Sequence, residues 1–419
     1  MARRRGVELI SSPPIAVLST TVSQTVGRFY GDIITTLQAQ GYAVHVVTTD
    51  GPEVADLRQR CQAVHLVPMS RTISPVADLR ALWQWLHLMR KLRPAFVLAG
   101  TPKASLLAMI SNKLVSTPRR AYFLQGLRLE PTTGVQRCTL ALMEWLTSWC
   151  SHTVIAVSPS LARRYRHLRL NAGRPVSIPH HGSSHGVDTV HFAPRARAEN
   201  VLRDAGLDPT VPVLTFIGRV TRDKGIGTLI EAAHQLHAKG SQVQLVIAGD
   251  LDESDSPLQV TRLRESGLQV AIIGQLADVR PMLSVTDILV LPTWREGLPN
   301  VVLEAAAMEV PAITTDATGA VDSVVDGLTG SIVPVDDPSA LASAVQHLLS
   351  DPLRRRTMGM NARVRVLADF QPRDVASAII EAAGSSRRQV REVDVPTQRT
   401  APADWVADVD LPATAQNEA

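Results

Sequence analysis

Two stretches of this chain combine residue types that could do chemistry together. The first is FIGRVTRDKG, residues 216–225. Its apolar start reads as a strand ending at Gly218. Arg219 and Lys224 bracket the short loop that follows, and Gly225 and Gly227 open a helix. Backbone amides at a helix start favour anions, and two cations beside them can neutralise a diphosphate. Arginine offers a planar fork to phosphate oxygens while lysine supplies a compact point charge. The plainer alternative is a solvent-facing basic turn.

The second stretch is WREGLPNVVLEAAAMEVPAI, residues 294–313. Glu296 falls in the loop after the strand-like DILVLP, and Glu304 lies eight positions on, in a helix expected to begin near Pro299. Two such carboxylates can converge on one ligand, each accepting hydrogen bonds from vicinal hydroxyls. The loop and helix start over Gly297, Leu298, Pro299 and Asn300 leave amides for a sugar or phosphate oxygen. An early-turn glutamate is otherwise ordinary dipole compensation.

The elements that must hold these residues alternate short apolar runs with longer helical stretches, which predicts parallel sheets flanked by helices. In the first half, strands are expected over residues 15–20 (IAVLST), 42–48, 63–68, 95–100 (AFVLAG) and 152–158. A loop holding Gly27 precedes a helix over residues 33–40. Asp78 is expected to cap a helix whose Leu79, Leu82, Leu86 and Met89 share one face. Trp83, Trp85, Trp145 and Trp149 read as helix-packing residues. From Gly206 the alternation restarts, so the expected architecture is α/β, with two doubly wound parallel-sheet domains facing a cleft. The boundaries are 1–190, 191–370, a helix over 371–384, and a tail over 385–419 that reads as disordered. Ligands of such sheets sit beyond the carboxyl ends of the strands.

The 419 residues, 45% hydrophobic and 20% charged, exclude a disordered, fibrous or disulfide-scaffold protein. No apolar run approaches the ~18 residues of a membrane span. The basic N-terminus lacks a signal-peptide core, and Cys61, Cys138 and Cys150 follow no metal spacing, so a cytoplasmic location is expected. Residues 1–190 carry 22 Lys/Arg against 9 Asp/Glu, a net of +13, whereas residues 191–419 carry 21 against 30, a net of −9. A basic half suits a polyanionic partner or an anionic membrane surface. A solvated basic face is the bland alternative. Aromatics at 4%, with no aromatic–basic stripe, argue against nucleic acid.

RxxxxKG in a strand–loop–helix setting, followed by EGLPNVVLEA, closely resembles the family-4 retaining glycosyltransferases of GT-B architecture, with two Rossmann-like domains. The upstream segments VPMSRTISPVADLRALW, AGTPKASLLAM, YFLQGLRLEP, VIAVSPSLARRY and GSSHGVDTVHF resemble a bacterial branch concerned with capsular, exopolysaccharide or O-antigen synthesis. The resemblance covers residues 13–383. It implies that Arg219 and Lys224 grip the donor diphosphate beside Gly218, and that Glu304 accepts the ribose hydroxyls. Glu296 lies against the donor sugar, with amides near Leu298–Asn300 on its phosphate. Gly27 matches the glycine that lets the pyrophosphate approach, and the base stacks near the strand ending at Gly274.

The family reaction passes through an oxocarbenium-like state while charge builds on the leaving phosphate, which Arg219 and Lys224 would stabilise. Front-face attack, with that phosphate taking the acceptor's proton, leaves Glu296 a positioning role and implies neither metal nor other cofactor. The expected co-substrate is a nucleotide sugar, UDP-linked first and GDP-mannose second. A polyprenyl-diphosphate-linked or glycan acceptor would sit on the basic N-terminal half, where Lys103, Arg119, Arg120 and Arg128 fall near expected strand ends. Peripheral association with the inner face of the plasma membrane is the accompanying hypothesis. The runner-up is a soluble secondary-metabolite acceptor; a nucleotide-sugar 2-epimerase and a non-catalytic subunit are further alternatives.

The chain departs from the family pattern in three places. Gly100 stands where many members carry a histidine. Glu309 and Val310, before Pro311, replace an alanine–glycine pair, which reads as a surface change. His185 replaces the usual asparagine before Gly186 and reads as a local turn residue.

Overall fold

A computed structural model describes residues 13–70, 74–251, 253 and 256–384. The tail over 385–419 lies outside the described residues.

The first domain runs β1 (Ile15–Ser19), α1 (Ser23–Phe29), α2 (Gly31–Ala39), β2 (Ala43–Thr48), α3 (Val54–Arg60), β3 (Ala63–Leu66) and α4 (Pro75–Leu92). It continues through β4 (Phe96–Gly100), α5 (Pro102–Leu114), β5 (Arg119–Leu124), α6 (Gly134–Cys150), β6 (Thr153–Ala156), α7 (Pro159–His167) and β7 (Val176–Ser177). Its strands pair in parallel in the order β3-β2-β1-β4-β5-β6-β7. Side chains alternate across the sheet. Ala16 and Leu18 join one core with Ile33, Leu37 and Tyr165, while Val17 joins another with Trp85, Met89 and Met109.

The second domain runs α8 (Glu199–Asp204), β8 (Val213–Ile217), a 3-10 turn (Arg222–Lys224), α9 (Ile226–Ala238), β9 (Gln244–Ala248), α10 (Ser256–Arg264), β10 (Gln269–Gly274) and α11 (Arg280–Leu283). Then come β11 (Ile288–Leu291), α12 (Asn300–Ala307), β12 (Ala312–Thr315), β13 (Gly330–Val333), α13 (Pro338–Ser350), α14 (Pro352–Asp369) and α15 (Pro372–Gly384). Its sheet is also parallel, in the order β10-β9-β8-β11-β12-β13. These two doubly wound sheets are the architecture expected from the alternating pattern. In each, strand order reverses beside the first strand, between β1 and β4 and between β8 and β11, which opens a crevice at their carboxyl ends.

The chain crosses between domains twice. Val187 N donates to Phe370 O at 2.8 Å, joining the two crossings. After Phe370 the chain returns to the first domain, where α15 packs on α2, β5 and β6 and buries Val375, Ala376 and Ile379 in that domain's core. Each large side chain so buried contributes ~1.5–3 kcal/mol, enough to hold a thirteen-residue helix that could not stand alone in water.

Several local expectations need correction. Gly27 lies inside α1, not in a loop, and a Cβ there would stand 2.9 Å from Glu53 Cγ. The long α4 begins at Pro75, three residues before Asp78, whose carboxylate accepts from Ser74 N at 3.1 Å. Its inward face is Ala81, Trp85 and Met89, while Leu79 is exposed. Of the four tryptophans read as packing residues, only Trp85 enters the core; Trp83, Trp145 and Trp149 are exposed. The reason is visible in α6, whose inward residues include Glu144, Thr147 and Ser148. Tyr122 and Tyr165 both donate to the Glu144 carboxylate, at 2.8 and 3.2 Å. A buried polar network thus claims the face that hydrophobic patterning assigns to tryptophan. Val310 is also buried, so only Glu309 is a surface change; it takes φ +62°, the left-handed conformation that glycine adopts without strain.

Candidate active site

The loops after β8 and β11 bring the two charged stretches of sequence together. Lys224 and Glu296, 72 positions apart, form a short, mostly buried ion pair. Beside it Arg295 Nη2 donates to Asp223 Oδ2 at 2.7 Å. Burial alone would raise the Asp223 carboxyl. The Thr221 hydroxyl and the charges of Arg295, Lys224 and Arg219 outweigh it and hold the group below its ordinary range. Arg219, in the same loop, is therefore within electrostatic reach of this cluster. Two cation–carboxylate pairs thus lie close together, each holding the rotamers of its own two members. That arrangement presents positive charge at a set position with little reorganisation left to do.

The backbone permits this approach at one glycine above all. Gly225 takes φ +73°, and a Cβ there would stand 1.7 Å from Pro292 O. The loop after β8 can therefore lie directly against the end of β11, which sets Lys224 over Glu296. Gly297 is a second close approach: a Cβ would meet Gln125 O of the first domain at 2.1 Å. Gly218 ends the β8 segment, Gly274 ends β10 in open surroundings with φ +66°, and Gly227 is equally open.

Leu298 is buried, Pro299 precedes α12, and Asn300 begins it, so the helix start faces the crevice rim. Glu304 lies in the next turn. Burial pushes its carboxyl up to about 7, with Arg28 of α1 pulling in the opposite direction. Arg28 of the first domain thus lies within electrostatic range of this site. The only local sign was a cation next to a glycine in the last turn of α1.

Further domain-bridging residues also escaped sequence reasoning. Ser160 N donates to Asp322 Oδ2 at 2.8 Å, and Gly319 N donates to Ser160 Oγ at 2.7 Å. Thr318 Oγ1 donates to Glu130 Oε1 at 2.8 Å. His185 belongs with them: its ring lies 4.7 Å from Phe29 of α1, and burial pushes it down to about 4. Its neighbour Ser184 reaches Asn300 Oδ1 at 3.4 Å. His185 is therefore part of the domain crossing, beyond a local turn.

The four basic residues assigned to the acceptor separate into different places. Lys103 is buried, 2.7 Å from Asp78 Oδ1. Arg119 and Arg120 open β5 and so lie at the amino end of the sheet, away from the crevice. Arg120 Nε donates to Cys150 O at 2.8 Å. Arg128 follows β5 at its carboxyl end and is exposed. Where a histidine was missing, there is no room for one: a Cβ at Gly100 would stand 2.3 Å from Tyr30 Oη.

Four buried polar atoms on the crevice side, Gln125 Nε2, Glu130 Oε2, Trp294 Nε1 and Arg295 Nε, have no hydrogen-bond partner. Among the described residues no group of three or more His, Cys, Asp or Glu is arranged to hold a metal ion. No helix there is long and apolar enough to cross a membrane.

Comparison with known proteins gives a consistent picture. Residues 26–189 match the model described as Glycosyltransferase Family 4, and residues 211–351 match Glycosyl transferases group 1. The chain is 34% identical over 356 residues to the capsular polysaccharide biosynthesis glycosyltransferase CapM of Staphylococcus aureus, covering 84% of this chain and 91% of that protein. Its fold is similar to that of Anabaena Alr3699/HepE, solved with UDP-glucose, with a TM-score of 0.72 at 19% identity over 88% of this chain and 98% of that one. The sucrose-phosphate synthase of Thermosynechococcus elongatus gives the same TM-score, 0.72, at 22% identity, with coverages of 88% and 98%.

Proposed function

Since this chain belongs to the family-4 glycosyltransferases and has the GT-B fold, it is a glycosyltransferase, and we propose that it moves a hexose or N-acetylhexosamine from a UDP-sugar with retention of configuration. The acceptor in this reading is a glycan or a polyprenyl-diphosphate-linked sugar, and the pathway is surface-polysaccharide assembly. The likeness to the staphylococcal capsular enzyme supports that pathway, and the neighbour solved with UDP-glucose supports the donor.

The observation that carries the reading is the paired cluster Asp223–Arg295 and Lys224–Glu296 at the reversal point of the second sheet. Arg219 and Lys224 stand where negative charge grows on a departing diphosphate. In a site screened from water, one such donor is worth ~2.7–4 kcal/mol of transition-state stabilisation. Glu296, tied to Lys224, positions the sugar and does not act as a nucleophile. The orphaned atoms at Gln125, Trp294 and Arg295 are polar groups that a bound donor could satisfy. Glu304, once ionised, accepts the ribose hydroxyls. No step calls for a metal, because the cations occupy its place.

Incubation of the purified protein with a panel of nucleotide sugars and a lipid-linked acceptor tests this, with proton NMR of the product reporting its anomeric configuration. The expected product keeps the donor's α configuration and forms equally in the presence of a chelator. Inverted product, strict metal dependence, or epimer formed without acceptor would each overturn a named part of the reading.

A further inference from the structure

The outer face of the first domain is built unlike a solvated surface. Helix α6 turns Val135, Cys138, Leu142, Trp145 and Trp149 outward, positions spaced by three or four residues and so aligned in one stripe. All five are exposed. Trp145 and Trp149 stack with ring centroids 6.3 Å apart and planes 7° from parallel. On the far side of α5, against which both helices pack, α4 turns Val76, Leu79 and Trp83 outward, all more than 60% exposed. Exposed apolar stripes of this kind mark a contact with something else.

Charge indicates what that something is. The sequence holds no acidic residue between Asp78 and Glu130, a stretch that includes Arg80, Arg90, Lys91, Arg93 and Lys113. The only acid between Glu130 and Asp188 is Glu144, which is buried beneath α6 and hydrogen-bonded there. The Lys113 ammonium lies 2.9 Å from the centre of the Trp149 ring, and Arg174 Nη2 donates to Trp149 O at 2.8 Å. Burial and the neighbouring Arg120, Arg174 and Lys113 push the His152 imidazole down to about 4. Exposed tryptophans on a stretch of sequence rich in cations and poor in acids suit a plane that is apolar below and anionic above. Tryptophan settles at the headgroup level, and Lys and Arg extend from apolar ground to lipid phosphates. A second copy of this chain would instead set these like charges against one another.

We propose that the outward stripes of α4 and α6, with Lys113, Arg90 and Arg93, dock this protein onto the anionic surface of a lipid bilayer. The protein lies on the surface rather than spanning it. The inference rests on the lipid-linked acceptor reading and names the surface that would meet the bilayer.

Cys138 lies within the stripe and is the chain's one exposed cysteine, Cys61 and Cys150 being buried. The test therefore labels Cys138 with an environment-sensitive fluorophore. It measures co-flotation with vesicles of equal parts phosphatidylglycerol and phosphatidylcholine, and with phosphatidylcholine alone. The expected result is flotation with anionic vesicles only, loss at high salt, a blue-shifted label, and about tenfold weaker partition for Trp145→Ser/Trp149→Ser. Lys113→Gln/Arg90→Gln should weaken binding without altering the melting temperature. Equal flotation on neutral vesicles, a label that does not shift, or tryptophan variants that float like the wild type would overturn the proposal. So would a dimer in sedimentation that the tryptophan substitutions dissolve. Transfer to a short-chain, water-soluble acceptor should be unchanged in these variants. Loss of vesicle binding with that activity intact thus separates failure of the docking surface from failure of the transferase reading.

Discussion

The two domains share a plan but treat charge in opposite ways. At the crevice rim of the second domain, charges come in opposite pairs: Lys224 with Glu296 and Arg295 with Asp223. On the outer helices of the first, Arg90, Lys91, Arg93 and Lys113 lie in a stretch of sequence without acids, and Trp149 stands at Lys113 in place of a counter-charge. Paired and half-buried charges are rigid, and rigidity is what a reacting centre needs. Unpaired surface charges are adaptable and long-ranged, which suits a broad and fluid partner. The contrast is between a site that must fit one small molecule and a surface that need only meet a plane.

Breaking the paired side should cost most. Lys224→Ala and Glu296→Ala are each expected to lower kcat about 100- to 1,000-fold. If the paired cluster works as a unit, the double variant loses little more than the worse single one, as steady-state kinetics on all three will show. Multiplying losses would mean that the two residues act separately.

The next effect is on folding. Gly225→Ala places a methyl 1.7 Å from Pro292 O at φ +73°, and is expected to lower stability on the order of 3 kcal/mol. Urea unfolding measures that, and a loss below ~1 kcal/mol would show that the two loops are not locked together.

A smaller effect is tied to pH. Because the buried Glu304 carboxyl is pushed up to about 7, it is largely protonated at pH 6 and largely ionised at pH 8. Donor affinity should therefore rise by a few-fold across that window, and Glu304→Gln should flatten the profile, as calorimetric titration with UDP would report. The sign for folding is opposite. The raised value favours the folded state below the ordinary glutamate range, and that contribution is lost as pH rises through about 7. A smaller stability change than that of Gly225→Ala belongs to the unpaired side: with the two rings 41% and 43% exposed, Trp145→Ser/Trp149→Ser should lower unfolding free energy by about 1–2 kcal/mol. A larger loss would make those rings part of the core and erase the contrast.

Much of this was legible in the chain itself. Runs such as IAVLST and AFVLAG lie within a residue of β1 and β4, because a strand buried on both faces has to be continuously apolar. RRAYFL, which forms the interior strand β5, was not listed among the expected strands, since two arginines hide its start; both serve the amino end of the sheet. Arg219, Lys224 and Glu296 were singled out by type and spacing, as charged residues close to a helix-opening glycine or proline, and Glu304 by its place in an early turn; the structure pairs Lys224 with Glu296.

By itself the sequence determined the two parallel sheets, the loops that carry charge and the basic bias of the first half, since each depends on local pattern or simple counting. The tertiary structure alone decided partnership. It joined Lys224 to Glu296 across 72 positions, turned Lys103 inward to Asp78, sent α15 back to the first domain and left Trp145 and Trp149 outside. Each of those outcomes turns on which distant group reaches a buried polar atom first. Hydrogen-bond and charge energies fall off within a few ångströms, and no periodicity in the chain records them.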